Sequence, residues 1–381
     1  RIFIHLIQDK NIQYKFIKNN QCWLLNKTEL NIFKNDYYNE NETKEDISNR
    51  IGTKVLNIIP FSVPFHERLA ILKSSLDKEK SVYKHQPPKK LIIRRDFIVA
   101  DGFAAVNQLG SEFRKTIVVS FVDQFNQIEQ GVDMGGVFKE FLEESCRIIF
   151  SENYGLFKTN DQAMYYPNPI CIKHLPEAYS VIEFVGRLLA KAVYEGICVD
   201  IPFCSFFIKY SLFGKKTNLE DLYTLDKNLY KNLMSIRDYN GDVTDLCLTF
   251  SITIEDGLGN HNEINLIPNG KNIEVTNNNK MTYIYKYSEY LLETQFKSLN
   301  SYFKRGFYNI FNNNLIRLFN VTEFITILSG EDSDINVQDW MLNTIYEKPY
   351  SKNSRVIKNF WNIVKNMDNK TKKKLLQLLL S

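Results

Sequence analysis

The side chains best suited to covalent chemistry in this sequence are six cysteines: Cys22, Cys146, Cys171, Cys198, Cys204 and Cys247. No two form a C-x-x-C pair, and most sit in apolar runs, where a thiol behaves as a small hydrophobe. A nucleophilic cysteine needs a partly exposed site that favours thiolate. The five histidines are scattered, and no zinc-ligand spacing occurs. No metal ligand and no catalytic residue is therefore assigned. Unpaired thiols point to a reducing compartment, cytoplasmic or nuclear. Asp133 and Glu140 lie seven apart around a helix start, and read as surface or capping carboxylates rather than an acid/base pair. The run Leu212-Phe213-Gly214-Lys215-Lys216-Thr217 imitates the tail of a phosphate-binding loop. Lys209 stands where its upstream glycine should be and a second lysine intervenes, which argues against nucleotide binding. G-x-S-x-G, H-E-x-x-H and G-x-G-x-x-G are all absent, and no organic cofactor is implied.

The background is that of an ordinary globular protein. Of 381 residues, 44% are hydrophobic and 24% charged, enough for more than one core. A net charge of +4 from 48 basic and 44 acidic residues is too small to argue for nucleic acid or an anionic membrane. The apolar stretches at residues 2–7 and 375–380 are too short to span a bilayer. The chain opens on Arg1, and both ends are expected to be edges of a longer chain. Asparagine clusters (277–279 and 312–314) are a compositional bias without chemical content.

Periodicity supplies the elements that must position any site. Residues 31–50, rich in Asn, Glu and Lys, read as a mobile connector. Leu69, Ile71, Leu72 and Leu76 predict an amphipathic helix over 65–76, and residues 91–93 and 117–122 predict strands. Gly135-Gly136 opens a helix with apolar Phe138, Phe141, Leu142, Cys146 and Ile149. Residues 181–197 form a helix apolar nearly all round, which must be buried. Alternation from Leu246 to Ile254 predicts a strand whose Leu246, Leu248, Phe250, Ile252 and Ile254 share a face; a turn at 255–260 and Ile264 and Leu266 complete a hairpin. Thr276 is read as the N-cap of a helix over 281–307. Residues 329–333 form a short polar break. The fold class is mainly helical α+β.

Six segments together resemble the HECT family of ubiquitin ligases: Arg94-Arg95-Asp96; Gly131-Val132-Asp133-Met134-Gly135-Gly136-Val137-Phe138-Lys139-Glu140-Phe141; Tyr166-Pro167-Asn168-Pro169; Phe184-Val185-Gly186-Arg187-Leu188-Leu189-Ala190-Lys191-Ala192-Val193-Tyr194; Phe303-Lys304-Arg305-Gly306-Phe307; and Val356-Ile357-Lys358-Asn359-Phe360-Trp361. Each is weak alone, and their common order is specific. Lys139 replaces the family's usual arginine, and Ala190 stands where glycine is common. The flank Ile59-Pro60-Phe61-Ser62-Val63-Pro64-Phe65-His66-Glu67-Arg68 is similar to the branch whose members associate with proteasomes.

The resemblance, covering residues 59–381, implies a bilobal domain. After a partly flexible flank (1–58), an N-lobe would span 59–328, with a small subdomain at 212–292 that binds the ubiquitin-conjugating enzyme. Ser329, Gly330, Glu331, Asp332 and Ser333 would form the hinge (329–334), and 335–381 part of an α/β C-lobe. The family's Thr-Cys step is absent, so the transfer cysteine is expected beyond Ser381, leaving these residues inactive alone. Matching the family's groove gives Leu229, Leu233, Ile236, Leu246, Leu248, Tyr283 and Tyr287 as conjugating-enzyme contacts. Leu229, Leu233 and Ile236 share a helical stripe, as do Tyr283 and Tyr287, and four of them, Leu229, Leu233, Tyr283 and Tyr287, should frame an open cleft. The same spacings describe core faces, and that alternative stays open. The partners implied are the conjugating enzyme, ubiquitin, protein substrates and proteasomes. The rivals are an inert docking module and a plain helical scaffold.

Overall fold

The computed structural model describes residues 7–8, 10–11, 15, 17, 20–37, 51–123, 125, 127–129, 136–255, 259–330 and 334–380. The chain divides into two compact units, residues 1–330 and 331–381. It is a mainly helical α+β protein; among the described residues the strands occur as three two-stranded pairs. No described helix is long and apolar enough to cross a membrane.

In the first unit a 3-10 turn over Asn20–Trp23 precedes helix α1 (Lys27–Tyr37). The expected connector therefore begins later than Asn31. Leu30, Phe33 and Tyr37 make an apolar stripe, and Asn26 and Glu29 exchange side chain–backbone bonds of 2.9 Å at the helix start, a reciprocal cap that outweighs the polar composition. Residues 38–50 lie outside the described residues. Helix α2 (Ile51–Ile58) follows, and its Leu56 joins Phe33 in the main core. Helix α3 (Phe65–Ser81) buries Ile71, Leu72 and Leu76 as its periodicity predicts.

Strand β1 (Lys89–Arg94), helix α4 (Ile98–Leu109) and strand β2 (Ile117–Val122) form a parallel crossover, with Leu91 opposite Val119. Helix α5 (Gly136–Ile149) buries Phe138, Phe141, Leu142, Cys146 and Ile149. Gly135, Asp133 and the rest of 131–135 lie outside the described residues. Strands β3 (Phe157–Thr159) and β4 (Tyr165–Pro167) make a small hairpin. Helix α6 (Ala178–Glu195) is buried nearly all round, as its composition requires. Next come α7 (Ser205–Ser211), α8 (Lys227–Arg237), the hairpin β5 (Ser251–Glu255) and β6 (His261–Asn265), then α9 (Lys280–Leu292), α10 (Lys297–Ile310) and α11 (Val321–Ser329).

Three local expectations change. Strand β5 starts at Ser251, not Leu246: Asp242 caps a short 3-10 turn over Val243–Leu246, and Cys247 takes a left-handed φ of 50°, so an extended chain cannot begin there. Phe250 and Ile252 still face inward together. The long helix from 281 is broken into α9 and α10 at Glu293, whose φ of −127° and ψ of −56° leave the helical region. Thr276 is not an N-cap; Asn279 holds that place, and its side chain accepts from the Thr276 N–H at 2.7 Å, closing the preceding turn. Residues 256–258 of the hairpin turn lie outside the described residues.

The centre of the unit is the crossing of α6 and α10. A Cβ at Gly186 would strike the Phe303 carbonyl, and one at Gly306 the Glu183 carbonyl. The two glycines let the backbones touch. Around this contact Glu183 accepts from Arg187 at 2.6 Å and from Arg305. Lys191, fully buried, donates to the Lys115 carbonyl at 2.9 Å and the Arg114 carbonyl at 3.2 Å, and pairs with Glu195 at 2.6 Å. The motif residues Gly186, Arg187, Lys191, Arg305 and Gly306 thus hold the fold together. The flank does likewise. Buried Arg68 forks onto Glu323 at 2.6 and 2.7 Å and donates to the Val63 and Leu318 carbonyls.

The second unit is smaller. Helices α12 (Val337–Leu342), α13 (Arg355–Asn366) and α14 (Asn369–Leu380) surround a core of Val337, Trp361 and Val364. The Trp361 indole donates to the Tyr346 hydroxyl at 2.8 Å.

Candidate functional site

The conjugating-enzyme contacts expected from the sequence fall on three neighbouring pieces of chain. α8 carries Leu229, Leu233 and Ile236. Asp226 caps this helix, its carboxylate accepting from the N–H groups of Asn228 and Leu229 at 2.9 Å. α9 carries Tyr283 and Tyr287, whose rings meet edge to face at 5.9 Å. The segment joining α8 to β5 carries Leu246 and Leu248.

α8 packs against α9, and residues of both belong to one core. Within it the seven residues have different depths. Leu233 is 1% exposed and Tyr283 is 4% exposed, so both belong to the core and neither can be a rim. Phe250 is buried beside them, its ring 5.6 Å from that of Tyr283. Leu229, Ile236, Leu248 and Tyr287 are half-buried against the main core. Leu246 is 37% exposed at the end of the 3-10 turn, on no strand. Of the four residues expected to frame an open cleft, Leu233 and Tyr283 are buried and only Leu229 and Tyr287 are partly exposed. Helical spacing gave the shared stripe but not the depth, because i and i+4 positions on a helix two layers deep differ only by what lies above them.

The electrostatics follow the burial. Burial, with Tyr287 beside it, pushes the Tyr283 hydroxyl up to about 12. Burial also raises Tyr287, and the Asp226 carboxylate adds to the shift. Both phenols are neutral hydrogen-bond formers near pH 7, so this surface offers rings and hydroxyls rather than acid–base chemistry. Phe250 and the cap Asp226 were missed as members of the site, although an acidic residue directly ahead of the α8 stripe is a legible cap signal.

The cysteines divide by burial. Cys146, Cys171 and Cys204 are buried, and burial pushes Cys146 and Cys204 up to about 12 and Cys171 to about 11. Cys22, Cys198 and Cys247 are exposed, so lying in a largely apolar stretch of sequence does not by itself bury a thiol. Burial of part of Cys198 still raises its pKa. Among the described residues no three His, Cys, Asp or Glu side chains converge as metal ligands. At the hinge segment, Ser329 donates to the Ile201 carbonyl at 2.5 Å and Gly330 has φ 80°. Glu331, Asp332 and Ser333 lie outside the described residues.

A family model described as HECT-domain (ubiquitin-transferase) matches residues 143–379. The chain belongs to the HECT-domain family, whose named relatives are E3 ubiquitin ligases. It is 34% identical over 359 residues to a probable E3 ubiquitin protein ligase of Schizosaccharomyces pombe, covering 93% of this chain and 34% of that protein. It is 35% identical to the E3 ubiquitin-protein ligase UPL6 of Arabidopsis thaliana, over 86% of this chain and 32% of the relative. It is 37% identical to the human ubiquitin-protein ligase E3B, over 81% of this chain and 30% of the relative. The chain thus spans about a third of the length of the curated relatives it matches.

Proposed function

We propose that these residues are the conjugating-enzyme-docking portion of a HECT-type ubiquitin ligase. The enzyme would accept ubiquitin on a cysteine as a thioester and pass it to substrate lysines. One thioester replaces another in the first step, so the protein's contribution there is positioning. The observation that supports the docking role is the set of half-buried apolar residues on and beside α8 and α9, Leu229, Ile236, Leu248 and Tyr287, next to the buried Leu233, Phe250 and Tyr283. A half-buried tyrosine beside half-buried aliphatics suits a rim that receives an apolar anchor from a partner loop.

The accepting cysteine is proposed to be none of the six in this chain. Three are sealed and protonated, and the thiols of Cys198 and Cys247 face backbone carbonyls, of Ile327 and Asp245, which do not favour a thiolate. Ser329 to Ser333 would be the pivot between the two compact units, read as the N-lobe and part of the C-lobe, with residues 212–292 as the docking subdomain. Glycine at φ 80° suits a joint that absorbs dihedral change. A cytosolic or nuclear setting, ubiquitin and substrate proteins as partners, and association with proteasomes complete the reading.

The test is binding of this chain to a ubiquitin-charged conjugating enzyme. Tyr287→Ala should weaken docking about tenfold or more, the scale of an interface anchor, and to a greater extent than it lowers folding stability, to which the ring's contact with Tyr283 contributes. Unaltered affinity would remove the groove as the docking surface. A reductant-sensitive ubiquitin adduct on the isolated chain would overturn the cysteine assignment.

A further inference from the structure

The docking segment joins the rest of the first unit through two stretches of backbone, entering at 212–217 and leaving at 292–296. Glu293 links them. Its carboxylate accepts from the Thr217 N–H at 2.6 Å and the Thr217 hydroxyl at 2.8 Å. Glu293 is 8% exposed and has no ion pair among the described residues. A buried carboxylate without a cation is costly, and an apolar side chain would fill the space at less expense. The same residue breaks α9 from α10, so it turns the outgoing chain and grips the incoming one. On the incoming side Gly214 takes φ 60°, and the Tyr308 hydroxyl donates to the Leu212 carbonyl at 2.5 Å. Other ties lie outside this neck: Lys209 to Asp221 at 2.5 Å and Asn160 to the Thr224 carbonyl at 2.5 Å.

We infer that Glu293 and Thr217 are positioning residues: their clasp sets the angle at which the docking segment, and hence a docked conjugating enzyme, is held over the rest of the domain. The inference rests on the docking role proposed above only for what is being positioned. Both residues lie in the neck rather than on the groove, so the clasp acts on orientation and leaves the apolar rim intact. A two-bond clasp from one threonine is also a place where a single hydroxyl decides the outcome. Without it the carboxylate keeps one of its two partners and the neck loses the bond that a rotating side chain can close.

The test uses the full chain with Cys22, Cys198 and Cys247 replaced by serine and spin labels placed at exposed Lys73 and His261. The distance distribution is read without any partner. Thr217→Val should broaden it roughly twofold, as loss of a hinge restraint does. Thr217→Ser, which keeps the hydroxyl, should restore the narrow distribution. Affinity for the conjugating enzyme should stay within about twofold of the parent in both, since the rim is untouched. A Thr217→Val distribution as narrow as the parent's would overturn the inference, even if the variant melts earlier. Broadening that Thr217→Ser fails to reverse would overturn it too. Failure of the groove reading would show separately, as an indifferent Tyr287→Ala, and would leave the partner-free distances standing.

Discussion

Gly306 on α10 faces the backbone carbonyl of Glu183 on α6 so closely that a single added carbon would overlap it. Gly186 makes the reciprocal contact with the Phe303 carbonyl and the Phe307 N–H. Two motif segments 120 positions apart in sequence are thereby one structural device. Gly306→Ala and Gly186→Ala should each cost about 3 kcal/mol or more, because backbone, unlike a flexible side chain, cannot move aside. Gly196, at φ 75° and ψ 25° in the left-handed helical region with nothing within 4 Å of its would-be Cβ, is the control. Its alanine variant gains backbone strain and should lose only about 1 to 2 kcal/mol of stability. Urea denaturation midpoints separate the two outcomes.

Arg68 and Glu323 stand 255 positions apart and meet through a two-pronged ion pair. Arg68 is 3% exposed and also serves two carbonyls. Arg68→Met leaves those carbonyls without this donor and Glu323 without its cation, though Glu323 keeps the Asn320 N–H. A loss of about 3 to 5 kcal/mol is expected, the usual cost of breaking a buried pair from one side. Glu323→Gln keeps the capping geometry with Asn320 and should cost less. A chain that melts normally with Arg68→Met would show that the flank is dispensable.

The Lys191–Glu195 pair makes stability pH-dependent. Burial opposes the Glu195 charge, but Lys191 and Lys80 outweigh it and hold the carboxyl below its usual 4.5. A lowered folded pKa means that the unfolded chain binds the proton more readily. The stabilisation is therefore complete above about 4.5 and is lost as pH falls through the lowered value. Glu195→Gln should flatten that part of the stability profile, and because Glu195 also supports the charge of buried Lys191, the titration of that lysine on the alkaline side should move to lower pH. Paired thermal melts between pH 3 and 7 test the acid side.

Thiol alkylation should sort the cysteines by environment. At pH 8 a thiol with a pKa of about 12 is thiolate in only about one molecule in ten thousand, and a buried one is also inaccessible. Iodoacetamide should modify Cys22 and Cys247 first, Cys198 more slowly, and Cys146, Cys171 and Cys204 only after unfolding. Peptide mass spectrometry gives the order. Rapid labelling of Cys204 in the native chain would contradict its burial.

Much of this was legible before any coordinates. The all-round apolar run of α6 demands burial. The 3.6-residue pattern of α5 gives its core face, and β-branched residues 117–122 form the strand they predict. Hydrophobic transfer is local in its demands, so a residue's type and spacing suffice. Even the missed start of α1 had a signal, in the Asn26–Glu29 cap. Where propensity alone was followed, over 246–250 and at Glu293, it failed, because a cap, a left-handed residue and a distant threonine decide the backbone there.

The sequence by itself determined the family, the mainly helical class and which stripes are apolar, since motif order and periodicity are properties of the string. Tertiary structure alone decided depth and partnership. Leu233 and Leu229 look alike on a helical wheel, yet one is buried and the other only half-buried. Arg68 has no sign in the sequence pointing to Glu323. Such relationships depend on which elements lie above and across, and chain folding brings those from positions that no local pattern can specify.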